Sequence, residues 1–312
     1  MYRRNESGST QPAECCVSRL LVDNLVVIGT GFMGASLAAA VKSRGLARQV
    51  IGIDPAEAQR AKLLGFIDQV IDRVDRLADS SVAKAGSLAV VIASPVPTFN
   101  QILGDLQKSA HRGSLPLQWI TDIGSTKRSL ISAAENNLTD LAALFVSSHP
   151  MAGSEKQGAV DADSNLFQGA RVLMSRLPRT TDDTFNAVEE FWVALGGQPS
   201  AMPIDDHDAL LAAISHLPHV VAYSLAGALA QSALSGAAQS MHGAGLRDTT
   251  RIAASSPELW ADIFLDNRDS LLLSCSQWSL QVAAIESAIR DADRDRLIDL
   301  LREASQWRKG FQ

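Results

Sequence analysis

Apolar residues fall along this chain in two rhythms. In the first part they come as short β-rich runs: "LVVIG" (25–29), "QVIGID" (49–54), "SLAVVIAS" (87–94), "QWITDIG" (118–124), "LFVSSHP" (144–150) and "ARVLMS" (170–175). Both faces of these runs are apolar, as in strands covered on two sides. Helix-like stretches separate them. "GASLAAAVKSRG" follows the first run, and "PAEAQRAKLLG" follows the second, with Pro55 at a helix start and Gly65 at its stop. The pattern predicts an α/β fold, a doubly wound parallel sheet of Rossmann-like layout with helices on both faces. A helix over 181–195 and the short segment "QPSAMP" close that domain.

The second rhythm begins near Asp205. "IDDHDALLAAISHLPHVVAYSLAGALAQSAL" is rich in Ala and Leu and carries no strand signal. A further helical array runs from Ser256-Pro257-Glu258, a helix start with Pro in its first turn, towards the C-terminus. These helices are apolar on more than one face, so they must bury that surface against each other or against a second subunit. The predicted division is a flexible N-terminal tail (1–22), a dinucleotide-binding domain (23–203) and an all-α domain for substrate binding and dimerisation (204–312), with the boundary near Pro203.

Composition narrows the class. With 312 residues, 46% apolar and 20% charged, this is an ordinary globular chain with room for two domains. A net charge of −6 argues against nucleic acid as partner and requires any anionic substrate to find positive charge locally. Three cysteines, two of them adjacent (Cys15, Cys16) and the third Cys275, make no disulfide framework and suit a reducing compartment. The first 19 residues hold Arg3 and Arg4 but no apolar core, so they do not read as a secretory signal. No apolar run reads as approaching the ~18 residues of a membrane span. The expectation is a cytoplasmic protein with no membrane partner.

Gly29-Thr30-Gly31-Phe32-Met33-Gly34 is a G-x-G-x-x-G turn placed directly after a buried strand and opening a helix. That context is what gives the motif meaning. Gly29 permits the tight turn, Gly31 lets a pyrophosphate approach the backbone, and Gly34 lets helix and strand pack closely. Phe32 and Met33 belong to the same cofactor turn, although turn and packing roles explain them most simply. Asp54 ends the second strand 20 residues after Gly34, where an acid accepts the ribose hydroxyls and repels a 2′-phosphate. NAD is therefore the expected cofactor. Asp54 also suits a helix cap ahead of Pro55, and the two roles are compatible. Ligands of such sheets sit outside the carboxyl ends of the strands. Ser94-Pro95, Asp122-Ile123-Gly124-Ser125 and Ser148-His149-Pro150 all fall there, so His149 ends its strand on the rim where a nicotinamide would lie.

The blocks "GTGFMGASLA", "TDIGSTK", "SSHPMAGSEKQG", "SHLPHVVAYSLA" and "LRDTTRIAASSPELWADIFLDNR" together resemble the prephenate/arogenate (cyclohexadienyl) dehydrogenase family of tyrosine biosynthesis, in the family's order. The resemblance implies a dinucleotide domain followed by a helical dimerisation domain, and a homodimer. It implies NAD-dependent oxidative decarboxylation of prephenate to 4-hydroxyphenylpyruvate, of arogenate to tyrosine, or both. Some members carry a fused mutase or regulatory domain, and this chain's length reads as leaving room for neither.

By the same resemblance His149 is the base that accepts the proton of the ring hydroxyl, and Ser125 hydrogen-bonds both the imidazole and that hydroxyl. Arg251 binds the ring carboxylate, work that suits a bidentate guanidinium and not a lysine. Arg247 is a second candidate, equally readable as half of an ion pair. Gly153, Ser154 and the Glu155-Lys156 pair shape the loop after His149. His216 and His219 lie on one helix face, with Pro218 opening the helix between them. Alone they would read as packing histidines, but the matched motif makes His219 the first choice for substrate contact. Zinc is not expected, because no third ligand has suitable spacing. His207 reads as structural. Trp260 reads equally as pocket wall or core filler.

Two other readings compete. Another NAD-linked dehydrogenase of small carboxylic acids, such as a β-hydroxyacid dehydrogenase, would use a lysine on a long helix, but the C-terminal half has none before Lys309. A non-catalytic NAD-sensing scaffold would have a damaged histidine loop or no arginine, and both are intact. The choice between prephenate and arogenate stays open, with Gln157 a candidate selector, as does inhibition by tyrosine.

Overall fold

The computed structural model describes residues 20–153 and 156–311. The tail with Cys15 and Cys16, and the loop residues Ser154 and Glu155, lie outside the described residues. The strands are β1 Val22–Ile28, β2 Ala47–Ile53, β3 Gln69–Val70, β4 Leu88–Ile92, β5 Leu117–Asp122, β6 Phe145–Pro150, β7 Arg171–Arg176 and β8 Gln198–Ala201. They form one sheet in the order β3-β2-β1-β4-β5-β6-β7-β8. The helices of this half are α1 Phe32–Ser43, α2 Ala58–Leu63, α3 Phe99–Arg112, α4 Arg128–Asn137 and α5 Asp182–Ala194. Val22, assigned to the tail by sequence, already pairs with Ala47.

The sheet is parallel from β3 to β6, but β7 runs antiparallel to β6. The cause is the connection. Parallel neighbours need a long crossover, usually a helix. The described part of the link from Pro150 to Arg171 holds only one 3-10 turn, Ala159–Asp161. The next link contains α5, so β8 is again parallel to β7. The segment "QPSAMP" is thus an edge strand, where Pro199 costs no ladder bond on the open side. The two-residue strand β3 at the other edge has too few residues to show a pattern.

Successive residues of β1 feed opposite cores. Leu25 and Val27 pack with Ala35, Leu37 and Trp192, while Val26 and Ile28 pack with Phe99, Leu103 and Leu130. Each such side chain contributes about 1.5–3 kcal/mol by leaving water, so the sheet fixes where the strand ends fall. Helix α5 starts as its sequence dictates. Thr181 caps it by accepting the Thr184 N–H, and Asp182 and Asp183 sit at the positive end of the dipole.

The helical half holds α6 Ile204–Leu211, α7 Leu217–Ala230, α8 Ser235–Met241, α9 Ala244–Thr250, α10 Pro257–Asp266, α11 Arg268–Arg290 and α12 Arg294–Lys309. Ser256 caps α10 through the Leu259 N–H, with Pro257 in the first turn. A π turn, Ala212–His216, joins α6 to α7. Pro218 lacks the N–H that a regular helix needs, and the turn before it widens. The result is one 27-residue rod, Ile204–Ala230, with a window of mean hydropathy 1.5. By length and composition this rod could cross a membrane, an exception to the sequence expectation. Its first half is instead spent on the sheet domain, where His207, Asp208 and His216 are buried. Further out the single chain leaves Leu265, Leu272, Leu273 and Leu280 exposed.

Candidate active site

The order of the sheet reverses between β1 and β4, and the glycine turn lies at that switch point. Gly29 has φ +89°, and a Cβ there would lie 2.6 Å from the Ala93 carbonyl oxygen. A Cβ on Gly34 would lie 1.9 Å from the Gly29 carbonyl oxygen. Neither position tolerates a side chain. A Cβ on Gly31 would meet no atom within 4 Å, so the space above it is open to a ligand. No side chain caps α1, which leaves its first-turn N–H groups for phosphates. Phe32 is buried, and Met33 packs on the core from a half-buried position. Asp54 accepts the Thr30 N–H at 2.8 Å through one oxygen and the Ala56 and Glu57 N–H groups through the other. It therefore ties the glycine turn to β2 and caps the next turn, and its remaining lone pairs can meet a ribose. The residues present fit a dinucleotide.

Ser94 and Pro95 follow β4 beside this turn, and α10 of the helical half packs on the next residues, Val96–Thr98. His149 is the fifth residue of β6 and is 8% exposed. Its Nδ1 lies 2.9 Å from His207 Nε2. Burial, then the Lys127 charge, then His207 and His216, hold its pKa well below the usual 6.5. The ring is therefore a neutral imidazole at physiological pH.

Lys127 is the hub behind it. Its buried amine donates to Asp122 Oδ2 at 2.6 Å, to the Gly124 carbonyl at 2.8 Å and to the Ser148 carbonyl at 2.7 Å. Burial lowers its pKa, while Asp122 works the other way. Three acceptors for three N–H groups is the arrangement of an ammonium. Those carbonyls belong to the residues before Ser125 and before His149, so one side chain staples both strand ends. Asp122 Oδ1 also accepts the Ser147 hydroxyl and the Ser148 N–H. Ser125 is half-buried and makes no hydrogen bond to His149 among the described residues.

On the helical side the residues form a continuous series. Asp208 accepts His207 Nδ1, and Asn267 donates to the Asp208 carbonyl and faces His216 Nδ1 at 3.1 Å. Burial pushes the His216 pKa down to about 4. The His216 ring meets Trp260 edge-on at 6.1 Å, and Trp260 stacks on His219. Burial also lowers the His219 pKa, and the Arg251 charge adds to this. Arg251 itself is exposed and has no carboxylate partner among the described residues.

The structure thus groups His149 with His207, and His219 with Trp260 and Arg251. His216, a candidate substrate contact by sequence, is 1% exposed and faces inward to Asn267. Arg247 forms an exposed pair with Asp248 at 3.5 Å, the ion-pair reading. Gly153 is exposed, with open space around it. His207, read from the sequence as structural, touches His149 directly. The sequence placed Asp122 at a strand end without a role, and gave Lys127, Asp208 and Asn267 none. Asp122 and Lys127 stand in "TDIGSTK" after an apolar strand, and Asp208 stands beside His207 in "DDHDALL"; these were the available signals.

Both halves match family profiles. Residues 37–200 match the prephenate dehydrogenase nucleotide-binding domain, and residues 203–303 match the prephenate dehydrogenase dimerization domain. The chain belongs to the prephenate dehydrogenase family. Prephenate dehydrogenase of Bacillus subtilis is 33% identical over 292 residues, covering 93% of this chain and 76% of that one. Cyclohexadienyl dehydrogenase of Zymomonas mobilis is 30% identical over 289 residues, covering 91% and 94%. The crystal structure of prephenate dehydrogenase from A. aeolicus, in complex with hydroxyphenyl propionate and NAD+, is 31% identical with a TM-score of 0.81, covering 93% of this chain and 98% of that one. The nucleotide-binding profile match starts at residue 37, just after the glycine turn.

Proposed function

We propose that the chain is an NAD-dependent dehydrogenase of tyrosine biosynthesis that oxidatively decarboxylates prephenate, arogenate or both. The observation that carries the reading is the neutral imidazole of His149 at the strand-end rim of the sheet whose first strand carries the glycine turn. NAD+, held on the turn from Gly29 to Gly34 and at Asp54, supplies the hydride acceptor when bound. His149 takes the proton of the ring hydroxyl as that carbon is oxidised to the carbonyl level. A base whose pKa lies below the working pH stays unprotonated and ready. The opposite ring carbon loses CO₂ and the ring becomes aromatic, which makes the step strongly downhill. Ser125, whose hydroxyl has no hydrogen-bond partner among the described residues, meets the same substrate oxygen. Arg251, which has no carboxylate partner among the described residues, binds the substrate's ring carboxylate. His219, seated on Trp260, contacts the substrate from the helical side. The protein works as a homodimer through its C-terminal helices, in the cytoplasm, on a small carboxylate and not on nucleic acid or lipid.

The test is NADH formation with each substrate, followed by its near-ultraviolet absorbance. NADH from at least one is expected, and NADH from neither would end the reading. His149→Asn should lower kcat by about 10²–10⁴-fold with KM largely kept, the usual share of a general base. A loss of only a few-fold would remove His149 as the base.

A further inference from the structure

We propose that His207 and Asp208, neighbours on α6, form a positioning pair that fixes the tautomer and aim of His149, and that Asp208 also sets the loop carrying Ser125. This rests on the reading of His149 as the base. Asp208 Oδ1 accepts the Lys127 N–H at 2.9 Å and His207 Nδ1 at 2.8 Å, and Oδ2 accepts the Arg128 N–H at 3.0 Å. A carboxyl group taking three N–H donors is ionised, and an ionised carboxylate only accepts. His207 Nδ1 must then carry its hydrogen. Burial keeps His207 neutral at physiological pH, so its Nε2 holds a lone pair. That lone pair faces His149 Nδ1 at 2.9 Å, and His149 must be the donor. Its Nε2 is left unprotonated and is the atom that meets the substrate hydroxyl.

If His207 Nε2 carried the hydrogen, His149 Nδ1 would be the acceptor and its Nε2 would hold a proton, useless as a base. Protonation of His207 therefore switches the base off without touching His149. The charged and titratable groups around His207 are Asp208 on its own helix, Asp122 at the end of β5, Lys127 from the β5–α4 loop, His149 on β6 and His216 on the π turn after α6. The carboxylates favour protonation of His207 and the ammonium opposes it.

The same carboxylate reaches the second candidate group. Lys127 N lies in the loop that presents Ser125 and Arg128 N at the start of α4 just after it, and Asp208 is 4% exposed where it binds them. One carboxylate of the helical half thus sets both catalytic candidates of the sheet half. His207→Leu removes the acceptor, whereas His207→Gln keeps one: its carbonyl can accept from His149 and its amide can donate to Asp208.

The direct test needs no substrate. Ring-¹⁵N spectra of the full-length protein at neutral pH should show His149 protonated on Nδ1 and bare on Nε2. The opposite tautomer overturns the proposal. The kinetic test compares His207→Leu, His207→Gln and Asp208→Asn in kcat, KM and NAD+ affinity. His207→Leu and Asp208→Asn should lose kcat about 10²-fold or more with NAD+ affinity unchanged. His207→Gln should recover at least about tenfold of that loss, because it can rebuild the hydrogen-bond order. A His207→Leu kcat within a few-fold of the parent overturns the proposal. If a variant does not fold, the spectrum of the parent still decides. If neither substrate reacts, the function fails while the tautomer remains testable.

Discussion

Trp260 lies flat against His219, with ring centroids 3.3 Å apart and 21° between the planes. His219 Nδ1 is already committed to the Ser215 carbonyl at 2.9 Å, so Nε2 is the nitrogen left to face a substrate. The stack holds it there. Trp260→Leu should raise the substrate KM about tenfold with kcat little changed, and Trp260→Phe should fall between, given about 0.5–1.5 kcal/mol for an aromatic pair beyond its area. Steady-state kinetics checks this, and an unchanged KM for the Leu variant would reduce Trp260 to a core filler.

Arg251 is a guanidinium whose charge no protein carboxylate neutralises among the described residues. Arg251→Ala should raise KM by about 10²-fold or more and leave kcat within a few-fold, because it discards binding common to ground and transition states. Arg251→Lys should recover little, since a point charge cannot make the bidentate contact. A fall in kcat at constant KM would reassign the residue to the chemical step.

Asp54 both caps a turn and lines the expected ribose position. A serine can keep the cap while losing the charge. Asp54→Ser should therefore fold normally and shift the ratio of kcat/KM for NADP+ over NAD+ upward by about tenfold or more, because the repulsion of a 2′-phosphate is gone. An unchanged ratio would mean that the carboxylate never reaches the ribose.

Lys127 and Asp122 form an ion pair with 1% and 0% of the side chains exposed. Lys127→Met would strand a buried carboxylate. Urea unfolding should show a loss of about 3–5 kcal/mol, the usual consequence of breaking a buried pair from one side. Adding Asp122→Asn should restore part of it. A loss below about 1 kcal/mol would show that water or a proton replaces the ammonium without strain.

Four histidines of the site, His149, His207, His216 and His219, all have lowered pKa values, with burial the largest cause in each. An unfolded histidine takes up its proton near 6.5, and folded His216 does so only near 4. Between these values the unfolded chain binds more protons, so stability rises with pH and falls as the solution is acidified. His216 alone accounts for on the order of 3 kcal/mol lost between pH 6.5 and 4. Thermal melts across that window should show the decline, and His216→Gln should flatten it. The acid limb of kcat/KM should also lie below 6.5, because His149 stays neutral there.

The strand-and-helix alternation was legible because buried parallel strands are apolar on both faces and glycine turns mark their ends. The reversal of β7 was not, because strand direction depends on how the chain returns and not on which residues are apolar. His149 and Arg251 could be picked out by their positions in matched blocks. Lys127 and Asp208 could not, since their meaning comes from three-dimensional convergence on backbone groups 21 to 81 residues away. His207 shows the limit best. One residue near a helix start reads as structural and no more until the fold brings it within 2.9 Å of the imidazole.

The polypeptide changes character near Pro203, yet the chemistry does not divide there. Asp208 lies just beyond that point and reaches back to order Lys127, Arg128 and, through His207, His149. A fragment ending at the sheet would keep its dinucleotide turn but lose the partner that orients its imidazole. Recombination at this seam could exchange the helices only by carrying the His-Asp pair along, so the two modules are free to drift in surface and size but not in their first shared turn.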